Sequence, residues 1–275
     1  HYKLGHWRLA SSDINYRRFF DINTLAGLRV EDAGTFEAIH RLVKRLIAEG
    51  KLQGIRLDHI DGLRDPAQYC QRLRRLIREA QGEHTGPFYV VIEKILGEGE
   101  RLPAFSGVHG TTGYEWMNAI TQVLIEPKGL GPLDEIWRQI SNTPPRLDPV
   151  LKAAKRRVLQ TLLTSEFTVL WRLLARIANG HYSTRDYSAD SLRQALELYI
   201  LYFPVYRTYV AASGPAAHDR ALIDQTIERA RADWFAADEG IFDFLRDTIT
   251  MDLIKPGRPP HSALRVRRFA LKLQQ

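Results

Sequence analysis

The sequence is poor in cysteine and has no long apolar run. Cys70 is the only cysteine among 275 residues, which excludes an internal disulfide framework and any metal site built from several thiolates. No apolar run approaches the roughly 20 residues that cross a bilayer, and the N-terminal HYKLGHWRLA lacks the apolar segment of a secretory signal. We therefore expect a cytoplasmic protein that does not contact a membrane.

Clustered charge of one sign is also absent, although the net charge is +7. The arginines alternate with apolar residues in stretches such as RLRRLIRE and KRRVLQ, which is typical of the solvated face of an amphipathic helix. We therefore predict no nucleic-acid partner, and an acidic partner remains an alternative use of this charge.

Neither end of the sequence resembles a natural terminus. It begins at His-Tyr-Lys without a methionine and stops at LKLQQ. We expect it to be an internal segment of a longer polypeptide.

The first part of the chain has the pattern of a βαβ unit. Apolar residues at helical spacing between Thr35 and Glu49 predict a helix. Two short runs, Gly54–Asp58 and Phe88–Glu93, have the length and composition of buried strands. Between them, Asp65 and Pro66 supply the N-cap and first-turn proline of a second helix. The two strands should therefore pair in parallel.

After Glu115 the strand signals largely vanish and helical periodicity takes over. Apolar stripes predict helices over Lys155–Ala178, Leu192–Phe203, Ile223–Trp234 and Ile241–Leu253. We therefore predict an α/β part over residues 1–115 and a mainly α-helical part over residues 116–275, and the first 32 residues should be loop with short strands.

Two carboxylates end the two predicted strands. Because the carboxyl ends of adjacent parallel strands lie at one edge of a sheet, Asp58 and Glu93 should approach the separation of about 5 to 5.5 Å found in retaining glycosidases. Arg56 would point the same way as Asp58 and favour its ionised form, whereas the apolar residues before Glu93 would favour the protonated acid. A structural ion pair is the alternative interpretation of this spacing.

Several motifs resemble a known enzyme family. The segments GIRLDH at 54–59 and VIEK at 91–94 resemble the nucleophile strand and the acid/base strand of the α-amylase superfamily, glycoside hydrolase family 13. Within it, INYRRFFD at 14–21, LAGLR at 25–29, GTTGYE at 110–115 and FPVYRTY at 203–209 resemble the members that form trehalose units. The similarity runs over the whole chain.

The resemblance implies part of a (β/α)8 barrel followed by a mainly helical insertion. It implies an isomerase that converts the reducing-end α-1,4 linkage of a maltooligosaccharide into an α-1,1 linkage, with retention and with no cofactor or metal. In that reaction Asp58 is the nucleophile, Glu93 is the acid/base group and Arg56 supports Asp58.

Three further residues are candidates for contact with the sugar. His59 and Asp61 follow the first catalytic strand, and Tyr114 follows Gly-Thr-Thr-Gly. Loop stabilisation or packing against the barrel is the alternative for each. The motif Arg17–Phe20 could brace the barrel or bind substrate.

The resemblance is incomplete, because superfamily catalysis uses a third carboxylate that follows a histidine on a later strand. His218-Asp219 lies between a Ser-Gly-Pro turn and a helix, so we do not assign it this role, and the early superfamily motif with Asp and Asn-His is also missing. We expect the third aspartate to lie outside these residues, and we expect the 275-residue chain alone to turn over maltopentaose negligibly. Its unpaired strand edges favour self-association.

Two alternatives remain at this point. The chain could belong to another hydrolase or transglycosidase of the superfamily, which product analysis would distinguish. It could also be a non-catalytic helical scaffold or partner-binding module, for which the long helical part is the argument.

Overall fold

The structure is a computed structural model, and it describes residues 4–82, 86–143, 146–236, 238–258 and 260–275. Within these ranges the chain forms five short strands and ten α-helices, and none of the helices is long and apolar enough to cross a membrane. The strands are β1 (Arg18–Phe19), β2 (Ile22–Ala26), β3 (Gly54–Leu57), β4 (Tyr89–Ile92) and β5 (Gly110–Thr111). The helices are α1 (Ala33–Ala48), α2 (Pro66–Gln81), α3 (Tyr114–Val123), α4 (Leu130–Ser141), α5 (Leu147–Gln160), α6 (Thr164–Ala178), α7 (Ala189–Tyr202), α8 (Ala217–Ala232), α9 (Gly240–Ile249) and α10 (Ala263–Leu273).

A parallel three-stranded sheet lies at the centre of the first part, with β4 between β3 and β5. Strands β3 and β4 pair residue by residue from Gly54 opposite Tyr89 to Leu57 opposite Ile92. Gly54 allows this close pairing, since a Cβ atom there would lie 2.8 Å from the Tyr89 carbonyl oxygen. The predicted strand–helix–strand unit is therefore confirmed, and β5 is a third strand that the sequence did not indicate.

Helix α2 begins and ends where the sequence predicts. The Asp65 side chain accepts a hydrogen bond from the Gln68 backbone N–H, Pro66 occupies the first turn, and Gly82 follows the last turn with a positive φ of 55°. Its apolar face packs on the sheet and on α1, and this face buries Cys70, Leu73, Leu76 and Ile77.

The helical part has its own apolar core, formed mainly by helices α6 to α10. The stripe predicted as one helix over Lys155–Ala178 is in fact two helices, α5 and α6, separated by Thr161–Leu163. The break frees the Leu162 carbonyl oxygen, which accepts a hydrogen bond from Arg18 at 2.9 Å. The remaining predicted helices correspond to α7, α8 and α9, whereas α3, α4 and α10 were not predicted.

The N-terminal segment is attached to the helical part. Its β1–β2 hairpin agrees with the expected loop with short strands. The buried Arg18 side chain holds Glu166 of α6 through two hydrogen bonds of 2.9 and 2.8 Å, and the Ile14 backbone N–H donates to Ser165 at 2.7 Å. Arg18 therefore joins the N-terminal segment to α6. For this residue of the motif Arg17–Phe20, the contacts agree with the structural alternative.

The contact between α1 and α2 contains a buried histidine. His40 lies 2.8 Å from the Phe36 carbonyl oxygen through Nδ1 and 2.9 Å from the Tyr69 hydroxyl through Nε2. Burial lowers the pKa of His40, and the hydrogen bond to Phe36 opposes that effect only in part. The folded protein therefore favours the neutral ring.

Because burial lowers the pKa of His40, the free energy of unfolding should fall as the pH is lowered. Below the unfolded-state pKa of about 6.5 the unfolded chain binds a proton at His40 that the folded chain resists, so the free energy of unfolding should decrease between about pH 7 and pH 5. Urea unfolding at several pH values measures this, and the His40→Gln variant should lose part of the dependence. Equal pH slopes for both proteins would contradict the prediction.

Candidate active site

The two predicted catalytic carboxylates follow directly on the paired ends of β3 and β4. Leu57 is paired with Ile92, so Asp58 and Glu93 are the next residues on neighbouring strands. The Glu93 backbone N–H donates to the Leu57 carbonyl oxygen at 2.7 Å, which extends the pairing past the strands. The His59 backbone N–H donates to Glu93 Oε2 at 3.1 Å. The Glu93 carboxylate therefore reaches across to the residue that follows Asp58.

Arg56 forms the predicted ion pair with Asp58. Its Nη1 lies 2.8 Å from Asp58 Oδ1, because side chains two apart on a strand point to the same side. Both side chains are exposed, at 50% for Arg56 and 62% for Asp58. Exposed pairs of this kind contribute only about 0.2–1 kcal/mol to stability. Asp58 is thus open to solvent and to a ligand.

His59 lies inside a group of aromatic rings. It adopts a left-handed backbone conformation with φ of 47°, and its ring lies 4.6 Å from Phe20, 5.4 Å from Phe19 and 5.9 Å from Tyr206 between centroids. The structure therefore brings part of the motif Arg17–Phe20 and the segment 203–209 to the carboxylates. The position of Tyr206 beside His59 was not predicted, because the sequence does not show which distant segments contact each other in the fold.

Asp61, a candidate for contact with the sugar, has a buried side chain. Asp61 is buried in the short 3-10 turn Ile60–Gly62, where Oδ1 accepts a hydrogen bond from the Tyr209 hydroxyl at 2.5 Å and Oδ2 lies 3.0 Å from Lys94 Nζ. Both carboxylate oxygens are therefore engaged below the strand ends. Spacing alone placed Asp61 beside His59 without showing that the turn directs it inwards.

The same turn is fixed from the helical part by Arg207. Its Nη1 donates to the carbonyl oxygens of Asp61 and Leu63, each at 2.6 Å. Burial lowers the pKa of Arg207 and raises the pKa of the Tyr209 hydroxyl. Asp219, excluded as a catalytic group, accepts a hydrogen bond from the Tyr209 backbone N–H at 3.0 Å, and burial raises its pKa.

A buried lysine completes the polar group under the site. Lys94 follows Glu93 in the chain and its side chain has no exposed surface. Besides Asp61, it lies 2.7 Å from Glu100 Oε1. These contacts are close ion pairs without hydrogen-bond alignment, since Nζ meets no acceptor at a hydrogen-bonding angle.

Tyr114 lies farther along the same edge of the sheet. It begins α3 just after β5, and the Thr112 backbone N–H donates to the Ile92 carbonyl oxygen at 3.0 Å, which joins this turn to the Glu93 strand. The side chain is half-buried. Among the residues that the structure describes, no three His, Cys, Asp or Glu side chains gather as a metal site would require.

Comparison with known proteins identifies relatives of one kind. No protein-family model matches the chain. Two proteins of Mycobacterium tuberculosis, strains CDC 1551 and H37Rv, described as candidate maltooligosyl trehalose synthases, are each 35% identical over 205 residues. That match covers 74% of this chain and 26% of each relative, so the chain spans about a quarter of their length.

The solved structures give the same result. The maltooligosyltrehalose synthase of Arthrobacter ramosus is 32% identical, with a TM-score of 0.76, over 99% of this chain and 32% of its own. A glycosyltrehalose synthase is 26% identical, with a TM-score of 0.62, over 84% of this chain and 27% of its own.

The packing of His59 gives a test of this geometry. A Cβ atom on Gly62 would lie 2.6 Å from His59 Cδ2 and 2.8 Å from Nε2, so Gly62→Ala should displace the His59 ring from its present position. The His59 ring signals in NMR should shift, whereas Gly129→Ala, which meets no atom within 4 Å, should leave them unchanged. Unchanged His59 signals in Gly62→Ala would show that the ring is not held here.

Proposed function

The chain is homologous to one segment of the maltooligosyltrehalose synthases, and we propose that it carries the nucleophile and the acid/base group of such an enzyme. The activity is the conversion of the reducing-end α-1,4 linkage of a maltooligosaccharide into an α-1,1 linkage. The observation that supports it most is the pairing of β3 with β4, which sets Asp58 beside Glu93 and lets the His59 N–H bond to the Glu93 carboxylate.

The first chemical step uses the exposed Asp58. Its carboxylate attacks the anomeric carbon of the sugar next to the reducing end, and the bond from that carbon to O4 of the terminal glucose breaks. Glu93 gives its proton to the departing O4. Arg56, 2.8 Å from Asp58, places a positive charge beside the nucleophile and orients its carboxylate for attack.

The second step reverses the roles at the same carbon. The released glucose turns over, Glu93 takes the proton of its anomeric hydroxyl, and that oxygen attacks the covalent intermediate. The ester bond to Asp58 breaks, the α-1,1 bond forms, and two inversions give net retention. Water in place of the glucose would give hydrolysis, so the site must hold the sugar.

Aromatic and polar side chains near the carboxylates suit this holding role. Phe19, Phe20 and Tyr206 are exposed beside His59 and offer ring faces on which a sugar can stack. We assign sugar contact to His59 and Tyr114 as well, since both lie at the edge of the sheet where Asp58 and Glu93 emerge.

The architecture is consistent with one portion of a (β/α)8 barrel. Three parallel strands with α2 across them, and carboxylates at the carboxyl ends, follow the arrangement of barrel active sites. We propose residues 1–115 as the barrel portion and residues 116–275 as the helical subdomain. The N-terminal hairpin joins the two, because Arg18 is bound to α6.

Substitution of the two carboxylates tests the proposal. In the complete protein that carries this sequence, Glu93→Gln should lower kcat on maltopentaose about 10²–10⁴-fold, because proton transfer is lost. Asp58→Asn should lower it at least as much, because no covalent intermediate forms. Exposed carboxylates elsewhere provide matched controls, Glu37→Gln and Asp186→Asn, which should retain full rates.

Product analysis separates this function from its alternatives. The proposed isomerase consumes reducing ends, whereas a hydrolase of the superfamily releases them. A non-catalytic scaffold would show no turnover in any form. Full activity of either carboxylate variant, or a gain of reducing ends with the unsubstituted protein, would contradict the proposal.

We also propose that the 275-residue chain associates with itself. Helices α3 and α4 bury no side chain, and their apolar residues are exposed, among them Trp116, Ile120, Val123, Leu133, Trp137 and Ile140. In the described residues β3 and β5 are the outer strands of the sheet. Apolar helix faces and open strand edges both favour association.

Light scattering during size-exclusion chromatography tests the association. The 275-residue chain should elute above its monomer mass of 31.6 kDa, increasingly at higher concentration. Trp116→Glu combined with Trp137→Glu should shift it towards monomer, whereas Phe235→Glu, at a side chain that is 98% exposed, should not. A monomer at every concentration would refute the proposal.

A further inference from the structure

Lys94 occupies an unusual position for a residue without an assigned role. It follows Glu93 directly, and its side chain has no exposed surface, although a buried ammonium group is costly unless it is paired. Two carboxylates form ion pairs with it, Asp61 at 3.0 Å and Glu100 at 2.7 Å. The cluster is thus three ionisable side chains with little access to water.

The two strands of the candidate site are joined by this pair. Asp61 lies three residues after Asp58 and Lys94 lies one residue after Glu93. The Lys94–Asp61 ion pair therefore links the chain beyond β3 to the chain beyond β4, just below the two carboxylates that must meet. Two hydrogen bonds also link these ends, one from the His59 N–H to Glu93 Oε2 and one from the Glu93 N–H to the Leu57 carbonyl oxygen.

The Asp61 turn is held from the other side as well. The Tyr209 hydroxyl donates to Asp61 Oδ1, and Arg207 donates to the Asp61 carbonyl oxygen, so the position of Asp61 is fixed by residues of the helical part. Glu100 is fixed in turn, because its Oε2 accepts a hydrogen bond from the Gly97 backbone N–H at 2.8 Å. Lys94 thus connects two anchored carboxylates to the strand that carries Glu93.

We propose that the buried Lys94–Asp61 ion pair is a positioning device that fixes the separation of Asp58 and Glu93 and keeps the released glucose in place for recapture. This inference rests on the proposed function. Lys94 and Asp61 act through the carboxylates and the His59 turn, and neither touches the reacting atoms.

Asp61→Asn is the first variant for a test in the complete protein. It removes the ion pair but keeps the shape of the side chain and the Tyr209 contact, and Lys94 remains balanced by Glu100, so the fold should persist. The kcat for the α-1,1 product should fall by about 10–100-fold, since small misplacements of catalytic groups have effects of this size. The fraction of glucose lost to hydrolysis should rise, whereas KM should change little.

Lys94→Met is the second variant, and it should act in the same direction more strongly because it leaves two buried carboxylates facing each other. The matched control is Asp252→Asn, which breaks a two-bond ion pair with Arg220 in the helical part, at 2.6 and 2.9 Å. It should lower the melting temperature without changing the ratio of isomerised product to glucose.

The outcomes distinguish the inference from its alternatives. A raised KM with an unchanged product ratio in Asp61→Asn would indicate a direct sugar contact and overturn the positioning role. The positioning role would also be overturned if Asp61→Asn and Asp252→Asn lowered the melting temperature equally and gave the same ratio of isomerised product to glucose.

A readout without turnover keeps the test separate from the proposed function. Hydrogen exchange at the His59 amide should accelerate at least about tenfold in Asp61→Asn, because the bond to Glu93 loosens, and it should not change in Asp252→Asn. If the unsubstituted protein forms no α-1,1 product, the proposed function fails, and this exchange result still decides whether the pair holds the strand ends together. Unchanged exchange at His59 would refute the positioning role.

Discussion

The site depends on the parallel, in-register pairing of β3 with β4. Side chains alternate along a strand, so a slip of one residue would turn Asp58 or Glu93 to the opposite face. Gly54 favours this register, because its missing side chain allows the Tyr89 carbonyl oxygen to approach. The hydrogen bond from the Glu93 N–H to the Leu57 carbonyl oxygen continues the pairing past the strands. Helix α2 connects the strands and covers one face with apolar side chains. Local chain geometry thus decides where two charges separated by 35 sequence positions lie.

Two ion pairs close to each other in the fold have different physical roles. The Arg56–Asp58 pair is exposed, so solvent screens it and it adds little to stability. In the proposed function its value is chemical, because it sets a positive charge beside the proposed nucleophile. The Lys94–Asp61 pair is buried, and removal of one partner from such a pair costs about 3–5 kcal/mol in typical proteins. In the proposed mechanism the exposed pair serves the reaction, and the buried pair holds the strand ends around it.

Much of the α/β part could be predicted from the sequence because its signals are local. Asp65, Pro66 and Gly82 mark the ends of α2, and the β-branched run before Glu93 marks β4. Strand β5 has only two residues and no apolar run. It is defined by its pairing with β4 and by the hydrogen bond from the Thr112 N–H to the Ile92 carbonyl oxygen, which are tertiary contacts that the local sequence does not show. At the interruption between α5 and α6 the Leu162 carbonyl oxygen is bound by Arg18, more than 140 positions away, and no window of neighbouring residues contains that contact.

The candidate site shows the same division between local and distant information. Asp58, Glu93 and Arg56 could be placed from strand spacing and from the family resemblance. The surroundings of His59 could not, because Phe19, Phe20 and Tyr206 come from segments that meet only in the fold. The burial of Asp61 could not be predicted either, because Tyr209, which contacts it, comes from a distant segment.

The helical part therefore belongs to the site as much as the sheet does. Segment 207–210 holds the Asp61 turn through Arg207 and Tyr209, and its other side is tied to Gln274, which bonds to Thr208 and Val210. A continuous set of hydrogen bonds thus runs from the C-terminal end of α10 to the residues below Asp58 and Glu93. A helical part that only covered the sheet would need apolar contacts alone. Buried hydrogen bonds fix the direction as well as the distance between the groups that they join. The proposed pairing of Asp58 with Glu93 requires this constraint.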